Sequence, residues 1–365
     1  MNLSGKKTEI NFGIQIAKGE NIYQSNGDIN IYNMTFPLVS DPIEFVFTRD
    51  NDTAIESYFQ GRDLELNDIL TKIENNTGKI LLTGIGGIGK THLGRYIFKY
   101  FLDQHNSGSK CNIEYLGYLT YSGNFDQTIV RGIRYEQSDN YDTNLKKAWD
   151  ILEQISQKKT LIIIDNVDKY FQEDVSLNKL NALNCNVIMT SRFKTFSKFE
   201  SFIVKPLSLE YCRNIFLSVY PEMNNSENMD VLNEILEKRA ARHTFTVELL
   251  AKIARSNDWD IIDLANELSK DNFNLHYNEN GLIISMKKEY EKLFKISNLS
   301  KSEINILESF AIVPYLPLNS KYCYELFSDD AKINKNSAIL NSLSDKGWLI
   351  KKKLLTKCTP LFLKL

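Results

Sequence analysis

The chain has 365 residues, 42% of them hydrophobic and 25% charged, with a net charge of −2; that length allows two or three compact units. No apolar run approaches the ~20 residues that cross a bilayer, the stretch 1–13 lacks the apolar core of a secretory leader, and near-neutral charge gives no general pull toward nucleic acid or anionic membrane. The five cysteines and four histidines are scattered, without CxxC spacing, which predicts reduced thiols, a cytoplasmic location and no zinc site.

In chain order, residues 1–36 stand apart. They are rich in Asn, Gly, Ile and Gln, and the alternating stretches Ile14–Ile16 and Ile29–Ile31 are separated by turn residues. Residues 37–57 read as a linker. From Gly61 the pattern turns helical (Leu64, Leu66, Ile69, Leu70, Ile73) until the stop at 75–78. The apolar strand Lys79–Thr83 then feeds a glycine loop and a helix reaching about Leu102. Further strands are expected at Ile113–Tyr121, Leu161–Asp165 and Val187–Thr190, with a helix over about 142–157. Continuous apolar runs alternating with helices predict a doubly wound parallel sheet covered on both faces. After Pro206 the pattern is helical at Leu209–Tyr220, Asn228–Arg239 and Thr246–Arg255. A last unit has helices near 285–296, 301–311 and 338–346, then two short segments, 347–350 and 354–355, able to pair. The predicted division is 58–206, 207–280 and 281–365.

The chemistry concentrates in Gly84-Ile85-Gly86-Gly87-Ile88-Gly89-Lys90-Thr91, a GxxxxGK[ST] loop between strand and helix, followed by His92. Its glycines let backbone N–H groups curl around a polyphosphate at a helix N-terminus. Lys90 would reach the β- and γ-phosphates and the Thr91 hydroxyl would ligate Mg²⁺. Asp165, ending a buried strand, is placed to hold the same Mg²⁺. ATP or ADP with Mg²⁺ is therefore the predicted ligand. Asn166 stands where many hydrolytic ATPases carry an acid, so slow hydrolysis is expected. Asp168 is either the substitute water-positioning base or a solvated turn acid. Arg192, after the third strand, is either a γ-phosphate reporter or a surface arginine.

The order of these motifs resembles the STAND class of P-loop ATPases, specifically the NB-ARC type of NLR-like proteins, over about residues 58–362. Gly61-Arg62-Asp63-Leu64-Glu65 is similar to the GRxxE motif that contacts adenine in that class; Gly84–Thr91 is similar to Walker A, 162–168 to Walker B, and 187–192 to the sensor strand. The resemblance implies a helical subdomain from about Val204, an adenine-side contact at Thr244, where the family has proline, and a winged-helix subdomain over 284–362. It also implies an ADP/ATP-controlled switch that oligomerises, in bacterial defence or cell-death signalling. Cys358-Thr359-Pro360-Leu361 replaces the histidine-bearing motif of the family, which puts that β-phosphate contact in doubt. The repeat array that usually follows is absent from a sequence ending at Leu365, which leaves a short switch, a split system or a truncated chain.

The segment with Ile14-Gln15-Ile16 is similar to RHIM-like amyloid-signalling motifs, whose low-charge Ile/Gln/Asn alternation suits cross-β stacking. An assembly or effector-binding motif, a plain hairpin and a disordered tail all remain open for it. Two rival functions are a winged-helix DNA-binding regulator, for which the Lys351–Lys353 triplet is the local support, and an AAA+-like motor. Neutral charge argues against nucleic acid as a partner, and Asn166 argues against the motor.

Overall fold

The computed structural model describes residues 21–25, 28–32, 47, 60–75, 78–107, 113–167, 173–225, 227–277, 283–284, 286–312, 318–319, 333–352 and 355–358. Ile14, Ile16, Asp168 and the 359–361 segment lie outside them. The N-terminal hairpin pairs β1 (Asn21–Ser25) with β2 (Asp28–Tyr32), antiparallel, with Ile22 opposite Ile31.

The central sheet has five parallel strands: β3 (Lys79–Thr83), β4 (Tyr115–Thr120), β5 (Thr160–Asp165), β6 (Asn186–Ser191) and β7 (Glu200–Ile203). Their spatial order is β4-β5-β6-β3-β7. The alternation of side chains across a strand sends one set to each face. Ile80, Leu82, Leu161, Ile163 and Ile188 pack with α1 (Asp63–Glu74) and α2 (Lys90–Asn106). Leu81, Ile162, Ile164, Val187 and Met189 pack with α3 (Phe125–Gly132) and α4 (Tyr141–Ser156). Helices therefore cover both faces, as the unbroken apolar runs predict. Phe47, inside the stretch read as linker, is buried and bridges to Ile133. Its ring lies so close to Gly117 that a Cβ there would meet it at 2.8 Å.

The second half is helical: α5 (Leu209–Val219), α6 (Met229–Glu234) running into a π-helical turn at Ile235–Arg239, α7 (Thr244–Ser256) and α8 (Ile261–Lys270). After the two-residue strands β8 (His276–Tyr277) and β9 (Ile283–Ile284) come α9 (Met286–Ile296), α10 (Lys301–Ile312) and α11 (Ile333–Asp345). A small antiparallel sheet of β10 (Leu318–Asn319), β11 (Leu349–Lys352) and β12 (Leu355–Cys358) follows, in the order β10-β12-β11. One apolar cluster runs through this half, from Leu207 on the approach to α5 to Trp348 beside β11.

Periodicity alone did not reveal β7, α3, α8 or the 3₁₀ turn at Val175–Ala182. That turn carries a buried polar anchor. Asp174 accepts hydrogen bonds from the Tyr121 hydroxyl (2.8 Å), Phe125 N (2.7 Å) and Ser176 N (3.1 Å), pinning α3 to the tip of β4. Asp174→Ala strips these buried donors of their acceptor and should cost at least about 2 kcal/mol. Denaturant unfolding of the full chain checks it, with a loss under about 0.5 kcal/mol counting against the anchor.

Candidate functional site

The loop between β3 and α2 is held from outside. Gly87 (φ 82°) and Gly89 (φ 107°) adopt left-handed conformations, which glycine enters without steric cost. A Cβ on Gly87 would stand 2.8 Å from His243 Cε1 and 2.9 Å from Phe245 Cβ. His243 Nε2 donates to Gly86 O (2.8 Å) and Phe245 N to Gly87 O (3.1 Å). Ile88 O accepts from both Arg62 Nη2 (3.1 Å) and Thr244 Oγ1 (3.2 Å). In a planar trans peptide the N–H opposes the C=O. Drawing these three carbonyls outward therefore turns the N–H groups of Gly87, Ile88 and Gly89 to the other side of the loop, the arrangement an anion-binding nest requires. Lys90, nearly buried, folds back to donate to Gly84 O and Ile85 O, each at 2.8 Å.

Strand β6 lies between β3 and β5, and its Thr190 connects the two motifs. Thr190 Oγ1 donates to Asp165 Oδ1 (2.5 Å) and accepts from Asn166 N (2.8 Å). The same Asp165 Oδ1 accepts from Thr91 Oγ1 at 2.9 Å. Asn166 sits at φ 65°, a region Asn tolerates better than most residues, and this turns the chain off the sheet just after the aspartate. A hydroxyl and a carboxylate side by side are hard oxygen donors that suit Mg²⁺, which takes few protein ligands and completes its shell with phosphate and water. No cluster of three or more His, Cys, Asp or Glu able to cage a metal occurs among the described residues. Behind the aspartate, burial pushes the Tyr118 hydroxyl well up; the Asp165 charge adds to this and Arg95 opposes it.

Of the predicted residues, Gly84 to Thr91, Asp165 and Thr244 meet here. Arg192 joins them: a Cβ on Gly86 would find its guanidinium at 3.4 Å. Arg62 is buried, with its Nη1 on Lys205 O (2.6 Å) and Glu65 Oε1 (2.9 Å), so its guanidinium ties the loop to the β7 exit. His92 follows Thr91 in the first turn of α2. Sequence reasoning did not assign roles to Thr190, Tyr290 or His243. His243 is fully buried, with Nδ1 2.7 Å from Thr246 Oγ1. Gly86 O can only accept, so Nε2 carries a hydrogen, and burial favours the neutral ring. The approach to His243 is strained, with Ala241 (φ 49°) and Arg242 (φ 54°) both left-handed.

A glycine loop joining a buried strand to a helix, with a Thr–Asp pair at the strand tips, defines a nucleotide-binding domain of the P-loop NTPase type. Residues 62–214 match the NB-ARC domain family. A probable disease resistance protein of Arabidopsis thaliana is 26% identical over 227 residues, covering 57% of this chain and 24% of that protein. A solved STAND protein with a tetratricopeptide repeat sensor, from Pyrococcus horikoshii, superposes with a TM-score of 0.51 at 15% identity, covering 85% of this chain and 42% of that one. These likenesses show the P-loop NTPase fold, and the chain spans less than half the length of either relative. No helix among the described residues is long and apolar enough to cross a membrane.

Burial pushes the His243 imidazole from 6.5 down to about 4; the Gly86 bond opposes this and the Lys90 charge reinforces it. Lys90 from α2 and Tyr290 from α9 are the ionisable groups placed against it. Folding must expel a proton from this ring whenever pH lies between those values. Stability is therefore full above about 6.5 and falls as pH drops toward about 4, by up to about 3 kcal/mol at 1.36 kcal/mol per unit. His243→Gln should flatten that segment of a stability–pH curve measured by denaturant titration; an unchanged slope would show the ring protonated in the folded state.

Proposed function

We propose that the chain is a nucleotide-controlled switch: it binds ADP or ATP with Mg²⁺ at the Gly84–Thr91 loop, and the identity of the nucleotide decides how the helical half sits against the sheet. The observation that carries this reading is the direct seating of the α7 N-terminus on the loop carbonyls of Gly86, Gly87 and Ile88. Any ligand that re-orients these peptides must act on α7, so nucleotide binding and the placement of the helical half are linked.

The roles follow the geometry. Lys90 exchanges its two carbonyls for the β- and γ-phosphates, a charge-assisted contact. Thr91 and Asp165 hold Mg²⁺, with Thr190 fixing the aspartate. Arg192, beside Gly86, faces the distal phosphate. Arg62 and Thr244 serve the loop backbone and border the adenine side. With Asn166 where an acid would serve, hydrolysis is slow, as suits a timer more than a motor. The unit with α9 to α11 and the three-stranded sheet is read as a winged-helix subdomain, and the ATP-bound form as a homo-oligomer serving a defence or cell-death signal. Residues 1–36 then act as an assembly or effector-pairing segment.

Lys90→Ala should lower ADP and ATP affinity by about a hundredfold or more, the scale of a buried charge-assisted contact, while leaving the thermal unfolding profile intact. Isothermal titration measures it, and a folded variant with wild-type affinity would sink the site. Size-exclusion chromatography should show a larger species with a non-hydrolysable ATP analogue than with ADP. If residues 1–36 act through proximity, their deletion should leave that species intact and abolish any fibre signal, because linking raises local concentration to about millimolar. Equal sizes in both nucleotides would refute the oligomerising half of the reading.

A further inference from the structure

The imidazole of His243 connects two distant parts of the chain. On one side Nε2 donates to Gly86 O in the phosphate loop (2.8 Å). On the other, Nδ1 lies 2.7 Å from Thr246 Oγ1 and 3.2 Å from the Tyr290 hydroxyl, and these two hydroxyls are 2.7 Å apart. His243 and Thr246 are fully buried and Tyr290 is 1% exposed. Tyr290 belongs to α9, 44 residues beyond Thr246, and its ring packs against Phe245 at a centroid distance of 6.0 Å.

The polarity of this chain is determined by its far end. Gly86 O offers no hydrogen, so in the neutral ring Nε2 must donate and Nδ1 must accept. One hydroxyl therefore gives its hydrogen to Nδ1, and the shorter contact assigns that to Thr246. Thr246 Oγ1 is then left as acceptor for the Tyr290 O–H. All the donors run one way: Tyr290 to Thr246 to His243 to Gly86. Moving the ring hydrogen to Nδ1 would set Nε2 and Gly86 O, two acceptors, face to face in a dry interior, where an unmade hydrogen bond is costly.

We propose that Tyr290, acting through Thr246 and His243, is a positioning residue of the phosphate nest: by holding Thr246 as the donor to Nδ1 it reinforces the imidazole tautomer that holds Gly86 O outward and the Gly87 N–H inward. The inference rests on nucleotide binding at this loop and adds that α9 sets the loop's affinity for phosphate. A shift of α9 that withdraws the hydroxyl frees Thr246 to turn, frees the ring to change tautomer, and lets the Gly86 peptide rotate. The effect falls on the phosphate-bearing part of a ligand, since the relay touches the loop alone.

The test compares wild type, Tyr290→Phe, His243→Gln, His243→Leu and Lys90→Ala in the full chain, each confirmed folded by its thermal transition. ADP with Mg²⁺ and phosphate-free adenosine are titrated calorimetrically, and ¹⁵N spectra report the histidine tautomers, with the His243 signals assigned by their loss in His243→Gln. Tyr290→Phe should weaken ADP about five- to tenfold, what one hydrogen bond of ordinary strength accounts for, with adenosine unchanged. Its His243 signals should move from a pure Nε2–H form to a mixture. His243→Leu should lose at least as much, and His243→Gln, whose amide still donates to Gly86 O, should recover most of it. Tyr290→Phe holding ADP within about twofold, below what a lost hydrogen bond gives, or weakening adenosine equally, overturns the inference. Wild type that binds no ADP, or binds it as tightly after Lys90→Ala, overturns the nucleotide reading itself and this inference with it.

Discussion

A loop that grips phosphate with backbone N–H groups must send its carbonyls the opposite way, and each carbonyl so exported needs a donor. In many proteins water could serve. Here the donors are protein groups from well outside the loop: Arg62 just before α1, and His243, Thr244 and the Phe245 amide at the start of α7. The nest is therefore complete only when the helical half is seated. Glycine at position 87 serves two ends: it accepts a left-handed φ, and it leaves room for the imidazole and for Phe245. A side chain there would push α7 off the loop.

The cost of this seating is visible in the backbone. Ala241 and Arg242 are both left-handed, at roughly 1–2 kcal/mol each for residues with a Cβ. They follow a π-helical turn at Ile235–Arg239, where Ala240 N reaches back to Ile235 O. The wider turn and the reversed residues together present His243 inward rather than continuing the helix. Such strain persists where surrounding contacts over-determine it, and three hydrogen bonds to loop carbonyls with a buried relay behind them meet that condition.

How far this was legible in the sequence differs by residue. The loop, Asp165 and the sheet could be read because short local patterns specify them: glycines at fixed offsets, and apolar runs that only a sheet covered on both faces can bury. Arg192 could be ordered after them and does lie against Gly86. Strand β7 escaped because an edge strand has little to bury, and Glu200, Ser201 and Ile203 are exposed. Thr190 was passed over because its role comes from β6 lying between β3 and β5, a matter of topology that no window of sequence contains. His243 and Tyr290 are 47 positions apart, and a lone histidine before a helix carries no local mark of a partner on α9. Asp168 falls outside the described residues, so its two readings stand as the sequence left them.

The magnitudes also decide where such a molecule would come apart. Between the loop and α7 the contacts are mostly hydrogen bonds, which water can replace, at about 0.5–1.5 kcal/mol net apiece. Between α7 and the last unit the contacts are apolar. Leu249, Leu250, Tyr290, Leu340 and Trp348 share one buried cluster, and exposing large side chains of this kind costs about 1.5–3 kcal/mol each. Three polar contacts therefore stand at about 1.5–4.5 kcal/mol, against more than about 7 kcal/mol for five apolar side chains. The weaker seam runs along the phosphate loop. A separation along that seam would carry His243, Thr246 and Tyr290 away together and would take all the α7 donors from Gly86, Gly87 and Ile88 in one step. What remains on the loop is Arg62, which stays with the sheet and keeps a single carbonyl, that of Ile88, turned outward. A loop in that state would have one of these three peptides fixed and two released, so its N–H groups would no longer be held together as an anion-binding nest requires.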